Sequence, residues 1–122
     1  AEGDVDLREV SPDDRIKLSK YFTVDFFRMT HSIPDNSGLV IHTPLGRVVH
    51  SGDFKLDYNP ADGKTSHLHK LAQAGEEGVL ALISDSTNAE RPGYTPSERD
   101  VMNAVDDIIF RAKGRVIVTT FA

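Results

Sequence analysis

Thr30–Lys55, THSIPDNSGLVIHTPLGRVVHSGDFK, decides how the chain is read. Two short β-branched runs, GLVIHT (38–43) and RVVHS (47–51), flank Pro44-Leu45-Gly46, and that pattern predicts a hairpin. His31 follows closely on the apolar run that ends at Met29, and Gly52-Asp53 closes the second hairpin strand. In α/β sheets, sites form where a strand gives way to a loop. Imidazole and carboxylate are ligands for zinc or manganese, so His31 and Asp53 are candidate metal ligands. Read more plainly, they are a strand-end histidine and a turn aspartate, and two ligands fall short of the three a catalytic metal normally takes.

Upstream, RIKLSKYFTVDFFRM alternates like strand, with Pro12–Asp14 as a turn before it and Tyr21–Met29 as a buried strand. Downstream, LDYNPADGKTS is loop. His67–Glu77 reads as a short helix with Leu68, Leu71 and Ala72 on one face and Gly78 just past its end. Val79–Asp85, VLALISD, is a continuous apolar run suited to a strand covered on both faces. A second helix is expected with Thr95 as N-cap, Pro96 at the first helical position and Glu98 closing a capping box. Val101, Val105, Ile108 and Ile109 would form its apolar stripe, and Gly114 would end it. Arg115–Phe121, RVIVTTF, reads as another strand. A mostly β first half followed by α–β–α–β predicts an α/β layered fold.

Composition narrows the functions. The formal charge of −5 and the lack of any Lys/Arg block give no basis for non-specific attraction to a phosphate backbone. A polyanionic substrate would have to be held by local groups or a metal. With no cysteine, disulfides and thiolate metal sites are excluded, which fits an intracellular protein. No apolar run approaches the roughly 18 residues needed to span a bilayer, and the acidic AEGDVDLREV start does not read as a signal peptide.

Asp85 repeats the pattern of Asp53, a carboxylate directly after buried apolar residues; it reads either as a functional acid or as a cap for the STN loop behind it. His67 and His69 have the spacing of a strand-borne metal motif, but helical context would turn them about 200° apart, which argues against shared metal binding. His42 and His50 lie within the hairpin strands, with His50 placed to line the edge of a site. Glu76, Glu77, Asp106 and Asp107 read as solvated helix faces. No Walker loop, dinucleotide fingerprint or nucleophile elbow is present.

Two motifs carry a family resemblance. Thr30–Lys55 resembles the bacterial ribonuclease J family, metallo-β-lactamase-fold nucleases with a β-CASP insertion, and LISDSTNAERPGYTPSE (82–98) resembles the junction of those two parts. RVIVTTFA is similar to the first β-CASP strand, and order and spacing fit from Arg15 to Ala122. The resemblance implies an α/β fold: part of a metallo-β-lactamase αββα sandwich over residues 1–88, leading into the start of a β-CASP domain over residues 89–122. It implies that His31 is a metal ligand, that Asp53 is the carboxylate bridging two divalent ions, zinc or else manganese, and that Asp85 is the acid opening the β-CASP motifs. The implied activity is hydrolysis of RNA by exonuclease and endonuclease action in the cytoplasm, by a homodimer or homotetramer. The HxHxDH cluster of the family is absent from these 122 residues. The chain is therefore expected to be an internal segment, inactive alone, with its metal ligands completed by the rest of the parent enzyme. Another β-CASP nuclease acting on DNA or messenger-RNA 3′ ends, or a metal-free scaffold piece, is the alternative.

Overall fold

A computed structural model describes residues 6–119. Its elements are β1 (Arg15–Lys17), β2 (Thr23–Arg28), β3 (Ser37–Thr43), β4 (Gly46–His50), α1 (Leu68–Glu76), β5 (Ala81–Ile83) and α2 (Glu98–Arg111). The strands form one sheet in sequence order. From β1 to β4 each strand is antiparallel to the next, and β5 joins β4 in parallel, Val49 opposite Leu82.

The predicted hairpin is β3–β4, closed between Thr43 and Gly46. The Thr43 hydroxyl caps the turn, donating to Gly46 O at 2.8 Å and accepting from Leu45 N at 3.2 Å. The turn at Pro12–Asp14 is also present, with Asp13 in the left-handed region at φ 81°.

One face of the sheet carries the core: Phe27, Met29, Val40 and Val49 pack with Ala74 of α1, and Phe54 and Leu71 close the edges. Phe27 is only 1% exposed and sits opposite Gly38 on β3. A Cβ on Gly38 would lie 2.3 Å from Phe27 Cζ, so the glycine makes the room that the ring fills. α1 ends where Gly78 turns the chain at φ 91°. Arg47 of β4 holds that end, bonding Glu77 O at 2.8 Å and the Glu77 carboxylate at 2.7 Å.

Three expectations need correction. The Val79–Asp85 strand shrinks to β5 and is not covered on both faces: Leu82 is 64% exposed, because no described residue packs over this end of the sheet. The second helix begins two residues late, with Ser97 as N-cap. The Ser97 hydroxyl accepts from Arg99 N at 3.2 Å and the Asp100 carboxylate accepts from Ser97 N at 3.3 Å, so the Ser-x-x-Asp box wins over Thr95-x-x-Glu98. The α2 stripe of Val101, Val105, Ile108 and Ile109 forms as expected and is exposed. Finally, 115–119 form no strand and pair with neither edge of the sheet; Thr120 and Phe121 lie outside the described residues. The architecture is mixed α/β with a single five-stranded sheet, and the four-layer sandwich is not formed by the described residues alone.

Candidate metal centre at the strand ends

His31, Asp53 and Asp85 leave the sheet from β2, β4 and β5 respectively. All three line one open groove of about 690 Å³, together with Phe54, Lys55 and Thr87 among others. That volume lies within the roughly 300–1,000 Å³ of small-molecule sites. Topology explains the convergence: β5 runs parallel to β4, so both strands end on the same side.

Local chemistry then sets each loop. Gly52 takes φ 65°, and a Cβ there would meet Ser37 O at 2.7 Å, so the turn ahead of Asp53 admits glycine alone without distortion. The Asn36 amide donates to the backbone carbonyl of Asp53 and reaches Met29 O at 3.4 Å, tying the His31 loop to the Asp53 loop. Buried Thr30, next to His31, does more. Its hydroxyl donates to Lys55 O and accepts from Asp57 N at 3.1 Å, and its N–H donates to Ser66 Oγ at 2.9 Å. Buried Ser51 accepts from Asp85 N at 3.0 Å.

The Asp85 carboxylate is held from several sides. Thr87 donates to it from N at 2.9 Å and from Oγ1 at 2.7 Å, and Phe54 N approaches at 3.4 Å. These bonds, the Thr87 N–H first, hold its pKa below the usual carboxylate value, and nearby His31 adds to the effect. Asp85 is thus an ionised group at neutral pH, and it is both a loop anchor and a charge facing the groove.

Imidazole and carboxylate are suitable donors for a divalent cation, although the ligand atoms of His31, Asp53 and Asp85 do not all lie within 4.8 Å of one another. Nδ1 of His31 is buried with no hydrogen-bond partner, which is costly for an imidazole unless a ligand engages the ring. The Asp53 side chain is exposed in the groove, and no hydrogen bond among the described residues engages its carboxylate. His31 and Asp53 are thus the two groove residues with donor atoms free to meet a cation.

The other histidines fall elsewhere. Nε2 of His42 pairs with Asp25 at 2.8 Å, beside an Arg15–Asp25 ion pair. His50 does not line the groove; its Nδ1 accepts from Gly52 N at 3.0 Å and so closes the turn that presents Asp53. His67 and His69 overturn the expected separation. His67 is the N-cap of α1 with non-helical ψ of 60°, so helical spacing does not apply, and the two ring centroids are 5.2 Å apart. Asn36, Thr30 and Ser51 carry no local signal as site-building residues, because each acts through a backbone partner distant in sequence, whereas the Thr87 bonds to Asp85 are the loop cap that the STN stretch offers.

Comparison with known proteins supplies the context. Ribonuclease J of Thermus thermophilus is 68% identical over 120 residues, which is 98% of this chain and 21% of that protein. Ribonuclease J of Synechocystis is 56% identical over 116 residues, 95% of this chain and 18% of that protein. The chain belongs to the ribonuclease J family. Ribonuclease J2 of Bacillus subtilis, 47% identical over 117 residues, extends the match to a more distant member. The chain spans about a fifth of the length of these ribonuclease J relatives. No family model matches it. Among solved structures, a crystal structure of a protein of unknown function from Enterococcus faecalis V583 superposes with a TM-score of 0.60 at 20% identity, covering 86% of this chain and 25% of that one. At that identity the likeness concerns the fold alone.

Proposed function

We propose that this ribonuclease J segment contributes part of the active site of a metal-dependent ribonuclease, a hydrolase of RNA phosphodiester bonds with 5′–3′ exonuclease and endonuclease action in cytoplasmic RNA processing and decay. The observation that carries the reading is the convergence of His31, Asp53 and Asp85 on one groove from three different strand ends. The relatives' shared name, Ribonuclease J, favours RNA over the DNA or 3′-end alternatives.

In this reading His31 and Asp53 hold two divalent ions, zinc or else manganese, with further ligands from outside the chain. Such a pair, when bound, supplies an activated water and positive charge at the scissile phosphate. Asp53 would supply negative charge to offset that of the bound cations. Asp85, ionised and anchored by Thr87, would orient the groove's ligands. Lys55, although it lines the groove, is engaged with Pro96 O at 2.9 Å and with Glu98, so it positions α2 rather than binding substrate. An acidic segment can serve a nuclease this way, because the cations offset the phosphate charge. Residues 1–88 would belong to the metallo-β-lactamase half and 89–122 to the opening of the β-CASP domain, in a homodimeric or homotetrameric parent.

The test is Asp53→Asn in the full-length ribonuclease J that carries this segment. The change keeps the volume and removes the charge. Metal content, by elemental analysis, should fall, and single-turnover cleavage of a 5′-monophosphorylated RNA should drop by several orders of magnitude. Retention of full metal content with an unchanged rate would overturn the assignment.

A further inference from the structure

The cluster left unexplained by the groove is Asp13, His67 and His69. One ligand atom from each can be chosen so that all three lie within 4.8 Å of one another. None of the three lines the groove. We propose that they form a separate divalent transition-metal site that ties the turn before β1 to the start of α1.

Three observations carry this. First, the backbone sets the approach. Asp13 N–H donates to Phe26 O at 2.9 Å, and His67 N–H donates to Arg28 O at 2.9 Å. Both residues thus hang from β2, two positions apart, and the gap between them does not depend on a flexible loop. Second, His67 Nδ1 is buried and makes no hydrogen bond, although it lies 3.5 Å from Asp13 Oδ1. An imidazole nitrogen that faces a carboxylate at that distance without bonding it leaves space between the two for a shared cation. Third, the neighbouring His69 ring is tilted by 42° against His67 with centroids 5.2 Å apart, so modest side-chain rotation lets both rings present a nitrogen to one point.

Two imidazoles and a carboxylate suit zinc, cobalt or nickel, and are a poor set for magnesium or calcium, which prefer all-oxygen shells. Three protein ligands leave a position for water. A competing cation is already present: Lys70 Nζ lies 3.2 Å from Asp13 Oδ1. The alternative is therefore a plain ion pair with two adjacent rings, and removing Lys70 separates the two cases. The proposal does not depend on the ribonuclease reading, since it uses none of the groove's residues.

The experiment is a cobalt(II) titration of the 122-residue chain carrying His31→Ala and Asp53→Asn, which silence the groove donors, followed by visible absorption. One equivalent should bind with the ligand-field bands of a histidine-ligated ion and be displaced by zinc. His67→Gln or His69→Gln should weaken binding by at least roughly 100-fold, since loss of an outer-shell partner alone costs about 10–100-fold and these residues would bind the ion directly. Lys70→Gln should tighten it. Histidine ring nitrogen shifts on adding zinc, read by NMR in otherwise unaltered chain, give a second readout that requires no cluster variant to fold. Absence of saturable binding, or binding unchanged in the His67→Gln/His69→Gln double variant, would overturn the site.

Discussion

Two regions of this molecule have similarly apolar sequences and opposite fates. In the first, β2 to β4 meet α1, and Phe27, Met29, Val40, Val49 and Ala74 are buried together. In the second, β5, α2 and 115–119 carry comparable runs, yet Leu82, Ile108, Ile109, Ile117 and Val118 are exposed, and Phe110 is 90% exposed. The first region is held by apolar packing. The second is held by hydrogen bonds. β5 keeps three residue pairs with β4, and the start of α2 is gripped by polar groups of the 57–61 loop. Asp57 accepts from Glu98 N at 2.8 Å, and Arg99 reaches Asn59 Oδ1 at 3.1 Å and Pro60 O at 3.1 Å. Apolar periodicity specifies which segments become helix or strand. Whether their apolar faces are covered depends on what stands opposite, and that information is not local.

The contrast can be broken most directly with a matched pair of truncations. Phe27→Ala should destabilise the chain by about 3–5 kcal/mol, while Phe110→Ala should stay within about 0.5 kcal/mol. Urea unfolding followed by circular dichroism measures both. Equal effects would mean that the two regions do not differ in the way the exposures indicate.

A smaller effect sharpens the packed side. Gly38→Ala places a methyl against the Phe27 ring, 2.3 Å from Cζ and 2.6 Å from Cε2 before any adjustment. Overpacking of this kind costs about 1–3 kcal/mol. Combining it with Phe27→Leu should give less than the sum of the two losses, because the residues share one space. Strict additivity would show that the strain is relieved elsewhere.

On the polar side, Asp57→Asn should cost about 1–3 kcal/mol, since an amide cannot accept from Glu98 N and Asn59 N together through two oxygens. The loss should appear in amide exchange as faster opening of the first turn of α2, with the β2–β4 amides little changed.

The smallest effect is a pH dependence of that same grip. Burial pushes the Asp57 carboxyl up, but the N–H groups of Glu98 and Asn59 and the Ser97 hydroxyl outweigh it, and the net pKa is held below the usual value. A lowered folded pKa means that the ionised form is the stabilised one. Its contribution is complete above the unfolded pKa of about 4 and is lost as the pH falls through the lower folded value. The stability gap between wild type and Asp57→Asn should therefore narrow in acid. A gap that is the same at pH 7 and in strong acid would exclude charge as the origin of the grip.

Much of the first region was legible from sequence, because its signals are local. The β3–β4 hairpin follows from two β-branched runs around Pro44-Leu45-Gly46, and α1 from Leu68, Leu71 and the terminating Gly78. The cover expected over β5 is missing among the described residues for the reason given above. The N-cap was misplaced because Thr95 and Ser97 both have an acid three residues on, and tertiary contact decided between them: Ser97 Oγ lies 3.1 Å from Asp57 Oδ2. His31, Asp53 and Asp85 could be marked as strand-end residues, and their gathering in one groove bears on the site only through the sheet's topology. His67 and His69 were judged by helical geometry that stops one residue short of His67.

The parallel pairing of β5 with β4 also has a kinetic consequence. The β3–β4 hairpin pairs Val40 with Val49 across a short loop, whereas Val49 meets Leu82 only after the chain has passed through α1. Contacts between distant residues pay a larger loop-closure entropy and form later than local ones. In the order of folding events, the hairpin and β2 should therefore assemble first, with the Asp53 turn already made. Asp85 should arrive with the late closure of β5, so the groove is among the last features of the chain to exist.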